Sequence, residues 1–379
     1  MSLDNSSSVL TNRTFPNEGM VPMNLYEIHR IAAPELVYVD RIVTPMFYLI
    51  GLIGNPLSAK IWLSAKVRRS NSSAIYLGAI AVVDMVFLLL HVWMELLSAW
   101  GINTFNIPVL CKVYMVLQMT LQYLAPLLIL GFTFERFIAV CFPFYKERYC
   151  TVRKAVICVN ILTTVALVFG HFQAYFVEYS KIEGVCNIVV NMMDFYKVWT
   201  WISEMLIFLV VPLTVLVFNM LVIIEIRRIN KFSSPFGKES GRGVNQTSTI
   251  TLLSVSFYLI CTLLPATIVY AMQLSIEAGD HTTPPSEWSK DVTWSSYLTY
   301  YHIRKIVEEI CLSNYACYVF IYYITSGYFR EEVQRIWCFS LLCSSKDVHG
   351  EKTNGSCPTM INEKGQTVML DEQKTVNHV

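Results

Sequence analysis

The side chains able to do chemistry in this chain sit where charge is expensive. Glu135 and Arg136 close an apolar run over 113–134, Asp84 lies inside a second run, and Glu95, Glu308 and Glu309 lie in or beside others. Ionisable groups at such depth are tolerated when they pair, and they mark working sites. Arg136 has a plainer reading too, as a helix-end arginine reaching back to the membrane surface. Cys111 lies 25 residues before Arg136, a helical rise of roughly 37 Å, which is a bilayer core plus part of its headgroup layer. One helix therefore carries a thiol at one membrane face and a charged pair at the other. Catalytic arrangements are missing from the sequence: no His-Glu-x-x-His, no glycine-rich phosphate loop, no paired intramembrane aspartates and no Ser/His/Asp set on one membrane face. The chain is expected to be no enzyme and to need no cofactor or metal.

The elements that must hold these groups are apolar helices. Hydrophobic residues make up 54% of the 379 residues and charged residues 15%, against about a quarter charged in soluble domains, and the mean hydropathy is +0.46. Seven stretches are long enough to cross a bilayer, over 43–63, 74–97, 113–134, 155–177, 198–224, 250–272 and 306–325. Only a helix satisfies its own backbone in lipid, so an all-α bundle of seven membrane helices is predicted. A net charge of +1 offers no attraction to nucleic acid.

Loop charges orient the bundle. Lys66, Arg68 and Arg69 follow the first stretch, Lys146, Arg148, Arg153 and Lys154 the third, and Arg227, Arg228, Lys231, Lys238 and Arg242 the fifth. These loops are cytoplasmic by the positive-inside rule. Residues 101–110 carry no charge, and the N-terminal tail holds five acids against three arginines, so the N-terminus is outside. Asn5 and Asn12 begin glycosylation sequons in that tail. No apolar segment precedes residue 43, so no cleavable signal peptide is expected.

That topology leaves Cys111 and Cys186, of eleven cysteines, in outer segments. Two thiols in an oxidising compartment are expected to pair. The bridge would tie the third helix to an outer loop, 181–190, that reads as a hairpin about a glycine. On the inner side, residues 327–343 are amphipathic, which predicts a helix lying on the membrane with Cys338 and Cys343 as palmitoylation sites. The domain plan is an outer tail over 1–41, the bundle over 42–326, the surface helix over 327–343, and a polar tail over 344–379 that is expected to be disordered.

Gly54-Asn55, Asp84, Cys111, Glu135-Arg136-Phe137, Pro143, Pro212, Pro265, Asn314, Tyr322 and Phe329-Arg330 fall at their places in successive spans. Together they resemble the rhodopsin-like G-protein-coupled receptors, through all seven spans. The resemblance implies a plasma-membrane receptor that activates a heterotrimeric G protein and meets arrestin and a receptor kinase. It makes Asn55, Asp84 and Asn314 a polar core, where a structural hydrogen-bond tie and an ion or water site remain alternatives. It makes Pro212 and Pro265 hinges, with Glu135, Arg136 and Tyr322 as the switch facing the G protein. Departures matter equally. Leu263 replaces a tryptophan, Met220 a tyrosine, and Tyr318-Val319 an Asn-Pro pair, while Asn245 replaces an acid found in some relatives. Ala125 and Tyr318 also remove oxygens usual near Asp84, so a weakened sodium site is expected.

For the ligand, Gln118 stands where amine receptors carry an aspartate and Leu312 where the retinal-bearing lysine would be. Glu95, Glu308 and Glu309, with Gln118 and Gln122, are the expected pocket residues and favour a cationic group. The alternative is that the acids pair internally with Arg304 and Lys305. Among the family's branches the sequence is most similar to invertebrate-type neuropeptide receptors, which implies a short amidated peptide containing arginine. The competing class is a secondary transporter of a small polar solute, which predicts inverted repeats and interrupted helices in matching halves.

Overall fold

The computed structural model describes residues 30, 33–102, 104, 107–181, 185–233, 243–273, 276, 279, 283, 287–288, 290–348, 360–361 and 367–368. The long helices are α1 (Pro34–Trp62), α2 (Ser73–Ser98), α3 (Pro108–Cys141), α4 (Val152–His171), α5 (Met193–Met205), α6 (Val211–Ser233), α7 (Gly243–Gln273), α8 (Val292–Leu312), α9 (Asn314–Thr325) and α10 (Gly327–Val348). Six segments are long and apolar enough to cross a membrane: Pro34–Trp62, Ser73–Ser98, Pro108–Cys141, Val152–Phe176, Met193–Ile229 and Thr249–Tyr270. They match the first six expected stretches, and α1 begins earlier than residue 42. The seventh stretch is built as α8 and α9, parted at Ser313. Arg304, Lys305, Glu308 and Glu309 crowd α8, which lowers its hydropathy. The chain divides into two compact units, Met1–Glu331 and Glu332–Val379. In the second, besides the remainder of α10, Met360–Ile361 pairs antiparallel with Thr367–Val368.

Local chemistry sets the helix ends. Pro34 and Pro108 open α1 and α3 where no backbone N–H is needed. Asp291 caps α8 by accepting from the Thr293 and Trp294 amides, both at 2.9 Å. At the inner end Arg330 donates to the last carbonyls of α9, Tyr323 at 3.1 Å and Ile324 at 2.8 Å. Helices α2 and α3 form the centre, flanked by α1, α4 and α6, while α7 packs on α6, α8 and α9, and α9 returns to α1. A methyl group on Gly54 would come within 2.7 Å of Val319 Cγ1, so glycine there lets α1 approach α9 closely.

The two expected hinges differ in form. Pro212 follows a π-helical turn, Leu206–Val210, that separates α5 from α6. Proline lacks the N–H that would serve the carbonyl four residues earlier, and that carbonyl, Phe208 O, accepts instead from Thr267 Oγ1 on α7 at 2.6 Å. Pro265 lies inside α7 two residues before Thr267, and the helix continues through it. One hydroxyl thus bridges both proline-bearing segments.

Candidate functional site

At one end of the bundle, Cys111 and Cys186 form the expected disulfide, with Cα atoms 5.9 Å apart. It sits in a core with Tyr114, Met115, Phe176, Val177, Ile188 and Tyr196. The hairpin is present, but its first strand is Val177–Ser180, upstream of the expected 181–190, and it pairs with Val185–Ile188 so that Tyr179 faces Cys186. Its turn lies outside the described residues, as do the sequons at Asn5 and Asn12.

Beneath the hairpin lies a charged network joining α1, α2 and α8. Lys305 Nζ meets Asp40 Oδ2 at 3.0 Å and Glu308 Oε2 at 3.8 Å, and Arg304 Nε donates to Glu308 Oε1 at 2.8 Å. The internal-salt-bridge alternative therefore describes Glu308, whose side chain is bound to both bases. Glu309 is held differently: its Oε1 accepts from Thr44 at 2.5 Å, and its buried Oε2 has no hydrogen-bond partner among the described residues. Glu95 repeats the pattern, with Oε2 accepting from Ser98 at 3.3 Å and Oε1 buried without a partner. Glu95 and Asp84 are both buried on the interior side of α2, as their three-turn spacing predicts. Gln118 is 1% exposed with neither amide atom bonded, and Gln122 Oε1 is likewise unbonded. Four carboxylates, Asp40, Glu95, Glu308 and Glu309, thus meet two cations in one region. Tyr48 and His91 add a hydroxyl–imidazole contact at 2.7 Å. Asp40, Tyr48 and His91 escaped the sequence reading because α1 was started after them or because neutral groups gave no signal.

The polar core links helices. Asn55 Nδ2 donates to Tyr315 O at 2.7 Å. Asn314 donates to Thr262 and accepts from the Tyr318 hydroxyl at 3.1 Å. Its amide oxygen is therefore occupied, Ala125 supplies none, and Asp84 is left as the carboxylate for a cation that needs several oxygens. Both Asp84 oxygens are buried without a hydrogen-bond partner among the described residues, and few neighbouring oxygens remain to complete a sodium shell with them.

At the opposite end of α3 from Cys111, Glu135 Oε1 is 3.4 Å from Arg136 Nη2. The same oxygen accepts from Ser72 Oγ at 2.8 Å and Ser73 Oγ at 3.0 Å, and Arg136 Nη2 also donates to Asn71 Oδ1 at 3.3 Å. The start of α2 therefore braces both members of the pair. Tyr322 is 1% exposed, its hydroxyl has no bonded partner among the described residues, and its ring lies 5.6 Å from both Trp62 and Phe329. Cys338 is exposed. Cys343 falls in α10, and its side chain lies outside what the structure describes, as does that of Asn245.

A curated relative, the "Neuromedin U receptor homolog nmur-2" of Caenorhabditis elegans, is 25% identical over 158 residues, covering 40% of this chain and 38% of the relative. The alignment thus spans well under half of that protein. A family model described as "7 transmembrane receptor (rhodopsin family)" matches residues 56–308, two thirds of the chain. Its members are receptors rather than enzymes. The chain belongs to the rhodopsin family of seven-transmembrane receptors.

Proposed function

We propose that this is a plasma-membrane receptor, N-terminus outside, that binds a short cationic amidated peptide and promotes nucleotide exchange on a heterotrimeric G protein. The observation that carries the ligand class is the excess of carboxylates over bases beneath the disulfide-held hairpin, with Glu95 and Glu309 each keeping one buried oxygen unbonded. A guanidinium offers such oxygens planar, charge-assisted donors that an ammonium cannot match. The relative named a neuromedin U receptor homologue supports a peptide ligand in general. In this reading α8 and α9 make the seventh crossing, and α10 lies on the inner membrane surface with Cys338 and Cys343 as palmitoylation sites. Asn5 and Asn12 carry glycans, the segment beyond α10 is a polar tail, and arrestin and a receptor kinase act after the G protein.

The test is nucleotide exchange in membranes bearing the full chain, screened with amidated peptides made in Arg and Gln versions. Activation by Arg peptides, weakened in the Gln versions, is expected. Activation confined to uncharged or anionic ligands would overturn the cationic reading. Solute uptake without exchange would return the transporter.

A further inference from the structure

Of the buried acids on the outer half of the bundle, Glu204 on α5 is the one without a bond. It is 8% exposed and makes no hydrogen bond or ion pair among the described residues, whereas Asp40, Glu95, Glu308 and Glu309 each have at least one. An ionised carboxylate in that position is costly unless a cation meets it. Its surroundings show where such a cation would enter. Arg304 on α8 acts on Glu204 electrostatically. The charge of Glu204 in turn reaches Tyr123 on α3, Tyr196 on α5 and Tyr270 on α7. Glu204 therefore lies among α3, α5, α7 and α8.

A second observation fixes where along α3 and α5 Glu204 lies. The Tyr123 hydroxyl and Ser203 Oγ, 3.3 Å apart, tie α3 to α5 one residue from Glu204. Gln122, beside Tyr123, keeps its Oε1 buried and unbonded, and Gln118 one turn away keeps both amide atoms so. Gln118 and Gln122 lie on one face of α3. The region thus offers one anion, amide groups of both polarities and phenol rings on which a planar cation can stack.

We propose that Glu204 is the specificity-determining counter-ion for the ligand's positively charged side chain, with Gln118 and Gln122 completing the hydrogen bonds. The inference rests on the cationic-peptide reading above. It adds a charge-reading contact among α3, α5, α7 and α8 to the one offered by the α1/α2/α8 network. The network already satisfies Glu308 from within, and Glu204 has no such internal donor.

The experiment uses the full receptor in membranes and the paired Arg and Gln peptides, with Glu204→Gln and Glu204→Asp variants quantified at the cell surface. In Glu204→Gln, potency of the Arg peptide should fall by about 30-fold or more while the Gln peptide is nearly unaffected. Glu204→Asp should recover part of the loss for the Arg peptide alone. Equal losses for both peptides would show that Glu204 serves the receptor's own fold and would overturn the inference while leaving the cationic reading intact. If Glu204→Gln fails to reach the surface, Glu204→Asp decides alone, because a charge kept but withdrawn by one methylene must still cost the Arg peptide more than the Gln peptide. If the wild-type receptor responds to no cationic peptide, the parent reading fails before any variant is made.

Discussion

Replacing Glu135 by Gln isolates one charge in the inner network. The Gln carbonyl can still accept from Ser72 and Ser73, so the join between α2 and α3 survives, and only the ionic hold on Arg136 is lost. At 3.4 Å and an effective dielectric of about 20, the bare attraction is about 5 kcal/mol. Desolvation of two buried groups removes much of that, which leaves about 1–3 kcal/mol, the scale of switch couplings. Basal nucleotide exchange should therefore rise by about 5- to 150-fold, until the active fraction saturates. Asn71 still holds Arg136 at 3.3 Å, a bond to a charged group worth about 1.5 kcal/mol at the lower end of its range. Adding Asn71→Ala should then give about tenfold more wherever the single variant has not saturated. The assay is agonist-free exchange in membranes, normalised to surface receptor, with Arg136→Ala as the variant that binds ligand but fails to signal. Basal exchange at the wild-type level in both the single and the double variant would refute the restraint. Normal signalling by Arg136→Ala would refute the role given to the arginine.

Either Cys111→Ser or Cys186→Ser should lower surface expression and ligand binding together, since such bonds contribute about 2–4 kcal/mol; alkylation of both thiols in the folded, unreduced receptor would contradict this. Agonist potency should be unchanged when sodium is replaced by a bulky organic cation at constant ionic strength, because Asn314 is already engaged by Thr262 and Tyr318. A sodium-specific loss of potency that Asp84→Asn abolishes would count against that assignment. Glu308→Gln should reduce thermal stability in detergent by about 3–5 kcal/mol, the usual result of breaking a buried ion pair and stranding its partner; a melting curve like that of the wild type would argue otherwise. Thr267→Val should cost about 1–3 kcal/mol by leaving the Phe208 carbonyl unsatisfied, which a shift in the same melting curve would register.

The parts of the molecule legible in the sequence are those governed by local rules. Apolar runs longer than a bilayer located six of the helices, and loop charge left just two outer cysteines, which the structure joins. Glu135 and Arg136 are neighbours in sequence, so their pairing needed no knowledge of the fold. What stayed hidden depended on packing between distant segments. Asp40 was read as a tail charge, yet it pairs with Lys305, because α1 starts at Pro34 and carries Asp40 inward. Ser72, Ser73 and Asn71 carry no membrane signal of their own, and only the meeting of α2 with α3 makes them ligands of the pair. Glu204 lies inside a long apolar stretch where a single acid was passed over. The hairpin was displaced upstream because Val177–Ser180 reads equally well as the end of the fourth helix.

The bond between Cys111 and Cys186 joins residues 75 apart in sequence, and the loop it closes contains all of α4, the connection before it and the first strand of the hairpin after it. On the proposed topology the two thiols can meet only after the nascent chain has crossed the membrane and come back, delivering the hairpin to the oxidising side. Oxidation therefore comes late, after helix insertion, and it certifies that α3 and α4 were inserted in the right order and direction. A chain stalled with α4 in the cytosol would keep the two sulfurs on opposite sides of the membrane and unjoined, and the missing bond would distinguish it from a finished receptor in the endoplasmic reticulum. The linkage that ties the hairpin to α3 is thus also a record of successful biosynthesis.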